Sequence, residues 1–150
     1  MKKYKLEIFF ALVCLVLGMI SGSISTANSS QWYNNLSKSF FTPPGFVFPI
    51  AWTLLYLLMG ITLAKIYKEK KITLLNIFTT QMILNLLWSP LFFYSNSIFL
   101  ALIDLIALWI CIAIFICLSW KNRFISLSFI PYFLWVSFAL FLNYNIYIFN

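Results

Sequence analysis

The amino-acid sequence predicts an all-α integral membrane protein, a bundle of five transmembrane helices. Of its 150 residues, 63% are hydrophobic and only 9% are charged, whereas soluble domains are about 45–50% apolar and about 25% charged. The apolar residues form five continuous runs, each close to the ~20 residues that a helix needs to cross a bilayer. Because the runs are continuous rather than alternating, helices are favoured over the strands of a membrane barrel.

The predicted spans form a single domain, residues 1–150, and occupy residues 6–26, 46–66, 72–94, 98–118 and 126–148. An alternative for the first span is a cleaved signal peptide, since it starts with basic residues and ends in small ones. Its apolar run continues past Gly18 to Ile24, however, and this favours a retained helix. Gly18 and Gly22 also have the spacing that lets membrane helices approach closely.

The basic residues predict the orientation of the chain. Of the ten Lys and Arg residues, all except Lys38 lie on one side of the five spans. By the positive-inside rule, the N-terminus is expected in the cytoplasm and the C-terminus outside, in a multi-pass protein of the cell membrane. Residues 27–45 then form an external loop. The basic residues lie between apolar runs rather than in a polar patch, so we expect no nucleic-acid binding.

The absence of histidine limits the chemistry that is expected. The chain contains no His, and its three Cys residues lie in apolar runs without CxxC spacing. Histidine is the commonest metal ligand, a usual haem ligand and a usual acid–base catalyst. We expect no metal site and no bound cofactor, and interpret the cysteines as small buried hydrophobic residues.

The external loop is unusually aromatic. Residues 31–46 read QWYNNLSKSFFTPPGF. Trp32 and Tyr33 fit a lid that folds down over a cavity, and they fit equally well an aromatic belt at headgroup level. Thr42 followed by Pro43 predicts a helix N-cap with proline in the first turn of the next helix.

Polar side chains inside the spans identify the bundle interior, because such groups are costly in lipid. Gln81, Asn85 and Ser89 are four residues apart, so they share one face of the third span. This pattern fits interhelical hydrogen bonding and ligand contact equally well. Asp104 is the only carboxylate deep within a span. We interpret it as structural rather than catalytic, and as either neutral or hydrogen-bonded.

Short motifs in the loop and in four of the spans carry a family resemblance. They are, in chain order, Trp32-Tyr33 with Lys38 and Pro43-Pro44, Trp52 with LYLLMG from Leu55, LNLLWSPLFF from Leu84, ALIDLIALW from Ala101, and PYFLWVSFALFLN from Pro131. In this order they resemble the TspO/MBR family, which comprises tryptophan-rich sensory proteins and translocator proteins, also called peripheral benzodiazepine receptors. The resemblance covers nearly the whole chain.

The resemblance implies a homodimeric membrane receptor or carrier. It would bind porphyrins, such as protoporphyrin IX or haem, and ligands of the isoquinoline or benzodiazepine type in a pocket under the external loop. By motif position the pocket would be lined by Trp32, Tyr33, Pro44, Trp52, Asn85, Trp88, Trp135 and Ala139. One alternative is a light-dependent enzyme that degrades porphyrin, with Trp52 and Trp135 as catalytic residues. Another is a stress-related protein that regulates membrane partners.

Two departures from the family pattern qualify these expectations. Ser39 and Phe41 stand where relatives often have proline and tryptophan, although Phe41 keeps an aromatic ring in the loop. The C-terminal residues LNYNIYIFN lack the basic residue of the cholesterol-recognition pattern of animal members. A loose version of that pattern occurs at Leu63, Tyr67 and Lys70.

Overall fold

The structure, a computed structural model, describes residues 4–28, without the side chains of 26–28, and residues 31–150. The described helices are α1 (Lys5–Asn28), α2 (Trp32–Asn35), α3 (Val47–Lys68), α4 (Ile72–Ser89), α5 (Ile98–Ser119) and α6 (Arg123–Phe149). All but the four-residue α2 are long and apolar enough to cross a membrane, α4 together with the turn that follows it. The predicted all-α bundle of five transmembrane helices is confirmed, and the observed bounds differ from the predicted spans by a few residues.

The two ends of the bundle differ in character. The end that carries the connections α3–α4 and α5–α6 holds most of the lysines, and we call it the lysine end. There Lys71 Nζ lies 2.8 Å from a carboxylate oxygen of Glu69, and Asn122 Nδ2 donates to the same oxygen at 2.9 Å. The hydrogen bond from Lys71 holds the pKa of the Glu69 carboxyl below its usual value. The opposite end, which carries the segment between α1 and α3, is the loop end.

Phenylalanine rings fill the lysine half of the bundle. Phe115 stacks on Phe129 with ring centroids 4.0 Å apart, and Phe78 meets Phe129 edge-on at 6.0 Å. All three are buried. These rings fill the interior of this half of the bundle.

Helices α1 and α3 run antiparallel and make their closest contact through glycines. A Cβ atom on Gly60 would overlap the backbone of Ala11, and one on Gly18 would overlap the ring of Tyr56. Gly22 differs, since no atom of the described residues lies within 4 Å of the place where its Cβ would be. The close approach predicted for Gly18 and Gly22 therefore holds for Gly18 alone.

Helix α4 ends in a π-helical turn, Pro90–Tyr94, within what the sequence predicts as one uniform span. Proline has no N–H to donate, so it disturbs the regular helical pattern. The wider turn is closed by Ser95 N, which donates to the Pro90 carbonyl at 2.9 Å. It carries Phe92 into the interior, where the ring is fully buried.

The predicted N-cap at Thr42 is wrong. Helix α3 begins at Val47, and its N-cap residue is Phe46, which makes no side-chain capping bond. The reason is the Pro43-Pro44 pair, because a residue before proline is disfavoured in helical conformation. The backbone instead forms turns, with Thr42 N donating to Ser39 O and Val47 N donating to Pro44 O, each at 3.0 Å.

Candidate ligand-binding site

A cavity of about 600 Å³ lies at the loop end of the bundle. Pockets for small ligands typically measure about 300–1,000 Å³ and combine apolar walls with a few polar groups. All five long helices contribute to its walls, and the loop between α1 and α3 forms its roof. The lining includes Gly18, Ser21, Gly22, Ser25, Tyr33, Lys38, Thr42, Pro43, Trp52, Tyr56, Asn85, Trp88, Ser89, Phe92, Leu105, Trp135, Ala139 and Asn143.

Most of the residues predicted for a pocket lie together in this lining: Tyr33, Trp52, Asn85, Trp88, Trp135 and Ala139. The remaining two, Trp32 and Pro44, do not. The ring of Trp32 packs edge-on against Phe92 at 5.4 Å, so that Phe92 rather than Trp32 meets the cavity. Pro44 is exposed, while the preceding Pro43 lines the cavity.

One wall consists of rings from α3 and α6. Trp52 and Trp135 are nearly perpendicular, with an interplanar angle of 89° and centroids 6.5 Å apart. Trp52 stacks on Tyr56 at 5.7 Å. The indole N–H of Trp135 is buried and has no hydrogen-bond partner within the described part of the chain. This wall offers flat apolar faces together with an unused donor.

A second aromatic wall comes from the end of α4. Trp88 stacks on Phe92 with centroids 5.0 Å apart and an interplanar angle of 19°. Its Nε1 donates to Asn143 Oδ1 at 3.2 Å, and Asn143 Nδ2 donates to the Ile98 carbonyl at 3.2 Å. The π-helical turn and these bonds fix the indole plane, so this wall is preorganised.

A hydrogen-bond network forms the floor of the cavity. The Tyr56 hydroxyl donates to Asn85 Oδ1, and Asn85 Nδ2 donates to the hydroxyl oxygen of Tyr132 at 2.8 Å. Tyr132 in turn donates to Gln81 Oε1 at 2.9 Å. Among the polar residues on this face of α4, Gln81 therefore only links helices. Asn85 links helices and also lines the cavity.

Asp104 lies outside this network. Its side chain is buried, and its Oδ2 atom has no hydrogen-bond partner among the described residues. It is not part of the cavity lining, although Leu105 beside it is. The arrangement gives Asp104 no contact with the space where a ligand would lie.

The roof supplies the cavity's charged group. Lys38 Nζ lies 4.4 Å from the centroid of the Tyr33 ring, which is within the range of a cation–π contact. Among the residues that the structure describes, Lys38 takes part in no ion pair. Burial raises the pKa of the Tyr33 phenol, so that this group remains a neutral hydrogen-bond donor near pH 7.

The roof is fastened to the bundle by contacts of the residues that precede Lys38. Tyr33 packs edge-on against Phe93 at 5.6 Å. Ser37 and Asn150 exchange two hydrogen bonds of 3.0 Å, one from Ser37 N to Asn150 Oδ1 and one from Asn150 Nδ2 to Ser37 O. The loop is thus tied to the C-terminal end of α6, and moving it would break these contacts.

Sequence reasoning missed the contributions of Lys38 and of α1. The contribution of Lys38 could have been predicted, because it is the single basic residue on its side of the spans. The face of α1 that lines the cavity carries the small residues Gly18, Ser21 and Ser25. Apart from the spacing of the glycines, nothing in the sequence indicates that this face borders a cavity. Ser25 lies 3.1 Å from Ser89 of α4, hydroxyl to hydroxyl, and so closes this corner.

The comparisons with known proteins agree with the fold and the motifs. The model of the TspO/MBR family matches residues 10–148. The chain is 41% identical over 143 residues to the tryptophan-rich protein TspO of Archaeoglobus fulgidus, covering 93% of each chain. It is 34% identical over 140 residues to the protein of that name from Chlorobaculum tepidum, covering 89% of each. Identity to the translocator protein of Sus scrofa is 30% over 143 residues, covering 90% of this chain and 84% of the relative.

A match of this extent, together with five membrane-spanning helices around a tryptophan-lined cavity, shows that the chain belongs to the TspO/MBR family.

Proposed function

We propose that this membrane protein is a receptor or carrier that binds porphyrins in the cavity at the loop end. The main support for this proposal is that flat indole walls occur together with a cation at the roof, Lys38, which makes no ion pair with the residues that the structure describes. A porphyrin such as protoporphyrin IX has a flat apolar ring and carboxylate groups at one edge. The ring would stack between Trp52, Trp88 and Trp135, and a carboxylate would pair with Lys38.

Flat neutral ligands of the isoquinoline or benzodiazepine type fit the same proposal. They would use the apolar walls and the unused N–H of Trp135, without an ion pair to Lys38. The affinity for acidic porphyrins should therefore depend on Lys38, whereas the affinity for neutral ligands should not. This difference tests whether Lys38 binds the carboxylate.

A titration of purified protein with protoporphyrin IX in the dark, followed by tryptophan fluorescence, tests the proposal. We expect saturable quenching that Trp135→Ala weakens by about tenfold or more, since a buried aromatic ring contributes roughly 1.5–3 kcal/mol. Trp109→Ala is the matched control, because Trp109 lies outside the lining and donates to Ser137. Equal effects of the two substitutions, or quenching that does not saturate, would contradict binding in the cavity.

The ion pair to Lys38 is tested with two forms of one ligand. Lys38→Gln should weaken binding of the porphyrin diacid severalfold, the order expected of a partly exposed pair worth about 1 kcal/mol. Binding of the porphyrin dimethyl ester, which carries no negative charge, should be unchanged. If acid and ester respond alike, Lys38 does not recognise the carboxylate.

A second candidate function is light-dependent breakdown of the bound porphyrin. The observation that favours it is the placement of two indole rings, Trp52 and Trp135, 6.5 Å apart on one wall. An excited porphyrin generates oxidants that indole quenches, so both rings would lie in reach of the reaction. Loss of porphyrin absorbance under illumination, abolished by Trp135→Phe at full ligand occupancy, would support this activity. Binding without light-dependent loss would leave the receptor or carrier function alone.

We further propose that the lysine end faces the cytoplasm and that the protein forms a homodimer. The basic residues of the described part of the chain, except Lys38, lie at or near the lysine end, as the positive-inside rule requires of a cytoplasmic face. Several helices also keep exposed large apolar side chains, such as Ile106 and Ile110 on α5, which suits contact with lipid or with a second copy. Light scattering of the detergent-solubilised protein measures the oligomeric state.

A further inference from the structure

The wall of the cavity is open between α1 and α3. Four residues line the cavity there and are also exposed on the outside of the bundle: Met19 and Gly22 on α1, and Pro49 and Thr53 on α3. Met19 is 72% exposed. By contrast, the lining residues of α5, such as Leu108, are fully buried. We call the opening bounded by these four residues the α1–α3 gap.

The gap follows from the way the two helices diverge. Near the lysine end the α3 backbone touches α1 at Gly60, and in the middle Gly18 lies against the Tyr56 ring. One turn further along α1, at Gly22, a Cβ atom would meet none of the described residues within 4 Å. The helices are therefore pressed together at one end and separated at the other, next to the cavity.

The chemistry of the gap suits hydrocarbon rather than water. Met19 and Pro49 are apolar, and Gly22 has no side chain. The Thr53 hydroxyl donates to the Pro49 carbonyl at 2.7 Å, so it needs no water partner. All four residues belong to the helical segments Lys5–Ser25 and Val47–Lys68, which are long and apolar enough to span a membrane. The gap thus lies within two segments that can span a membrane, towards the loop end of both.

On the α6 side, the approach to the cavity beneath the loop is obstructed by contacts of the roof. The two hydrogen bonds between Ser37 and Asn150 tie the loop to α6. Phe41 also packs against Phe141 of α6 with ring centroids 6.1 Å apart. A ligand arriving from water on this side of the loop would have to displace these contacts, whereas none of them closes the α1–α3 gap.

We propose that ligands reach and leave the cavity sideways, from the bilayer, through the α1–α3 gap. This inference rests on the proposed function of the cavity and narrows its substrate class to amphiphiles that first partition into the membrane. The apolar ring passes between the two helices, and the acidic edge is held at Lys38, on the loop side of the cavity. Transfer from hydrocarbon into the cavity spares the ligand a passage through water.

Two glycines of the cavity lining, Gly22 and Gly45, have open surroundings. Substituting them one at a time tests the gap and the loop separately. A Cβ atom on Gly22 or on Gly45 meets no atom of the described residues within 4 Å, so a side chain can start at either position without overlapping a neighbour. Gly22→Phe narrows the gap, and Gly45→Phe adds the same side chain to the loop that forms the roof. Ile20→Phe, on an exposed part of α1 outside the lining, is the control for added bulk. Equal unfolding midpoints establish that the variants fold alike.

The experiment measures stopped-flow association and release of protoporphyrin IX with protein in phosphatidylcholine vesicles in the dark. We expect Gly22→Phe to slow both association and release by about tenfold or more, because a narrowed route acts in both directions. Gly45→Phe should slow them less, and Ile20→Phe should match the unmodified protein. Slower exchange in Gly45→Phe than in Gly22→Phe would overturn the proposal.

A second measurement examines the gap without any porphyrin, so that failure of the gap and failure of porphyrin binding are distinguishable. Phospholipids with brominated acyl chains quench tryptophan on contact. An open gap lets the chains approach Trp52, the neighbour of Thr53, so Gly22→Phe should reduce quenching while Ile20→Phe should not. Quenching that is the same in all three proteins would show that hydrocarbon does not reach the cavity, and would overturn the proposal even if porphyrin binds.

Discussion

The side-chain amide of Asn85 on α4 donates a hydrogen bond to the phenol oxygen of Tyr132 on α6, at 2.8 Å. The same amide accepts from Tyr56 on α3. Three membrane-spanning helices therefore meet at one side chain, which is also exposed to the cavity. A group in this position both fixes the spacing of the helices and shapes the ligand site.

Replacing Asn85 should consequently affect stability and binding together. In Asn85→Leu both phenol groups lose a buried partner, and we expect a loss of roughly 1–3 kcal/mol in the free energy of unfolding and weaker ligand binding. Asn76→Leu is the control, because Asn76 is exposed on the same helix nearer the lysine end. Detergent-based unfolding and porphyrin titration measure the two effects. Equal losses in both variants would mean that Asn85 has no special role.

The contact between Gly60 and Ala11 predicts how a change in helix packing alters the stability of the protein. In Gly60→Ala the added methyl group would overlap the backbone of Ala11, and a backbone cannot move aside as a side chain can. We expect a destabilisation of about 1–3 kcal/mol, as is typical of overpacked sites. Gly22→Ala, with empty space beside it, should be neutral. Thermal unfolding of the two variants in one detergent distinguishes them, and matching midpoints would contradict the close contact.

The same pair of helices shows how far the sequence could predict the structure. Hydropathy and length are properties of each run by itself, so the five spans were predictable. Gly18 and Gly22 look equivalent in sequence, yet only Gly18 is in close contact. Their difference depends on the crossing of α1 with α3, which involves residues about forty positions away along the chain. The α1–α3 gap was therefore beyond prediction from local patterns.

The sequence predicted those parts of the candidate site whose residues belong to short motifs. Trp52, Trp88 and Trp135 were placed by motif, and all three line the cavity. Trp32 was placed by the same reasoning, but its ring packs behind Phe92. That position results from the π-helical turn after Pro90, and a proline in a sequence shows that a helix is disturbed without showing which way the next side chains turn.

The proposed orientation of the chain predicts on which side of the membrane two positions lie, Lys70 and Asn150. Reporter fusions that are active on one side of the membrane, placed after Lys70 and after Asn150, should report opposite sides, with Lys70 in the cytoplasm. The reason is the positive-inside rule, combined with an odd number of spans between the N-terminus and Asn150. Signals from one side for both fusions would be incompatible with five spans.

The last prediction concerns the aromatic roof. Tyr33 lines the cavity and packs on Phe93, whereas Trp32 reaches the cavity only through Phe92. Removing the Tyr33 ring takes away direct contact with ligand and the partner of the Lys38 cation. At roughly 1.5–3 kcal/mol for a buried aromatic side chain, Tyr33→Ala should weaken binding about ten- to a hundredfold. Trp32→Ala should have a smaller effect, since Phe92 remains between the lost ring and the ligand.

Both effects should appear mainly as faster release, because lost contacts shorten residence more than they slow arrival. Stopped-flow release in detergent, in the dark, measures them. Phe40→Ala is the control, since Phe40 belongs to the same loop but is 98% exposed and lies outside the lining. If Tyr33→Ala releases ligand as slowly as Phe40→Ala and instead changes stability or membrane insertion, the loop aromatics are interfacial anchors. Faster release in Tyr33→Ala alone would assign the roof a part in holding the ligand.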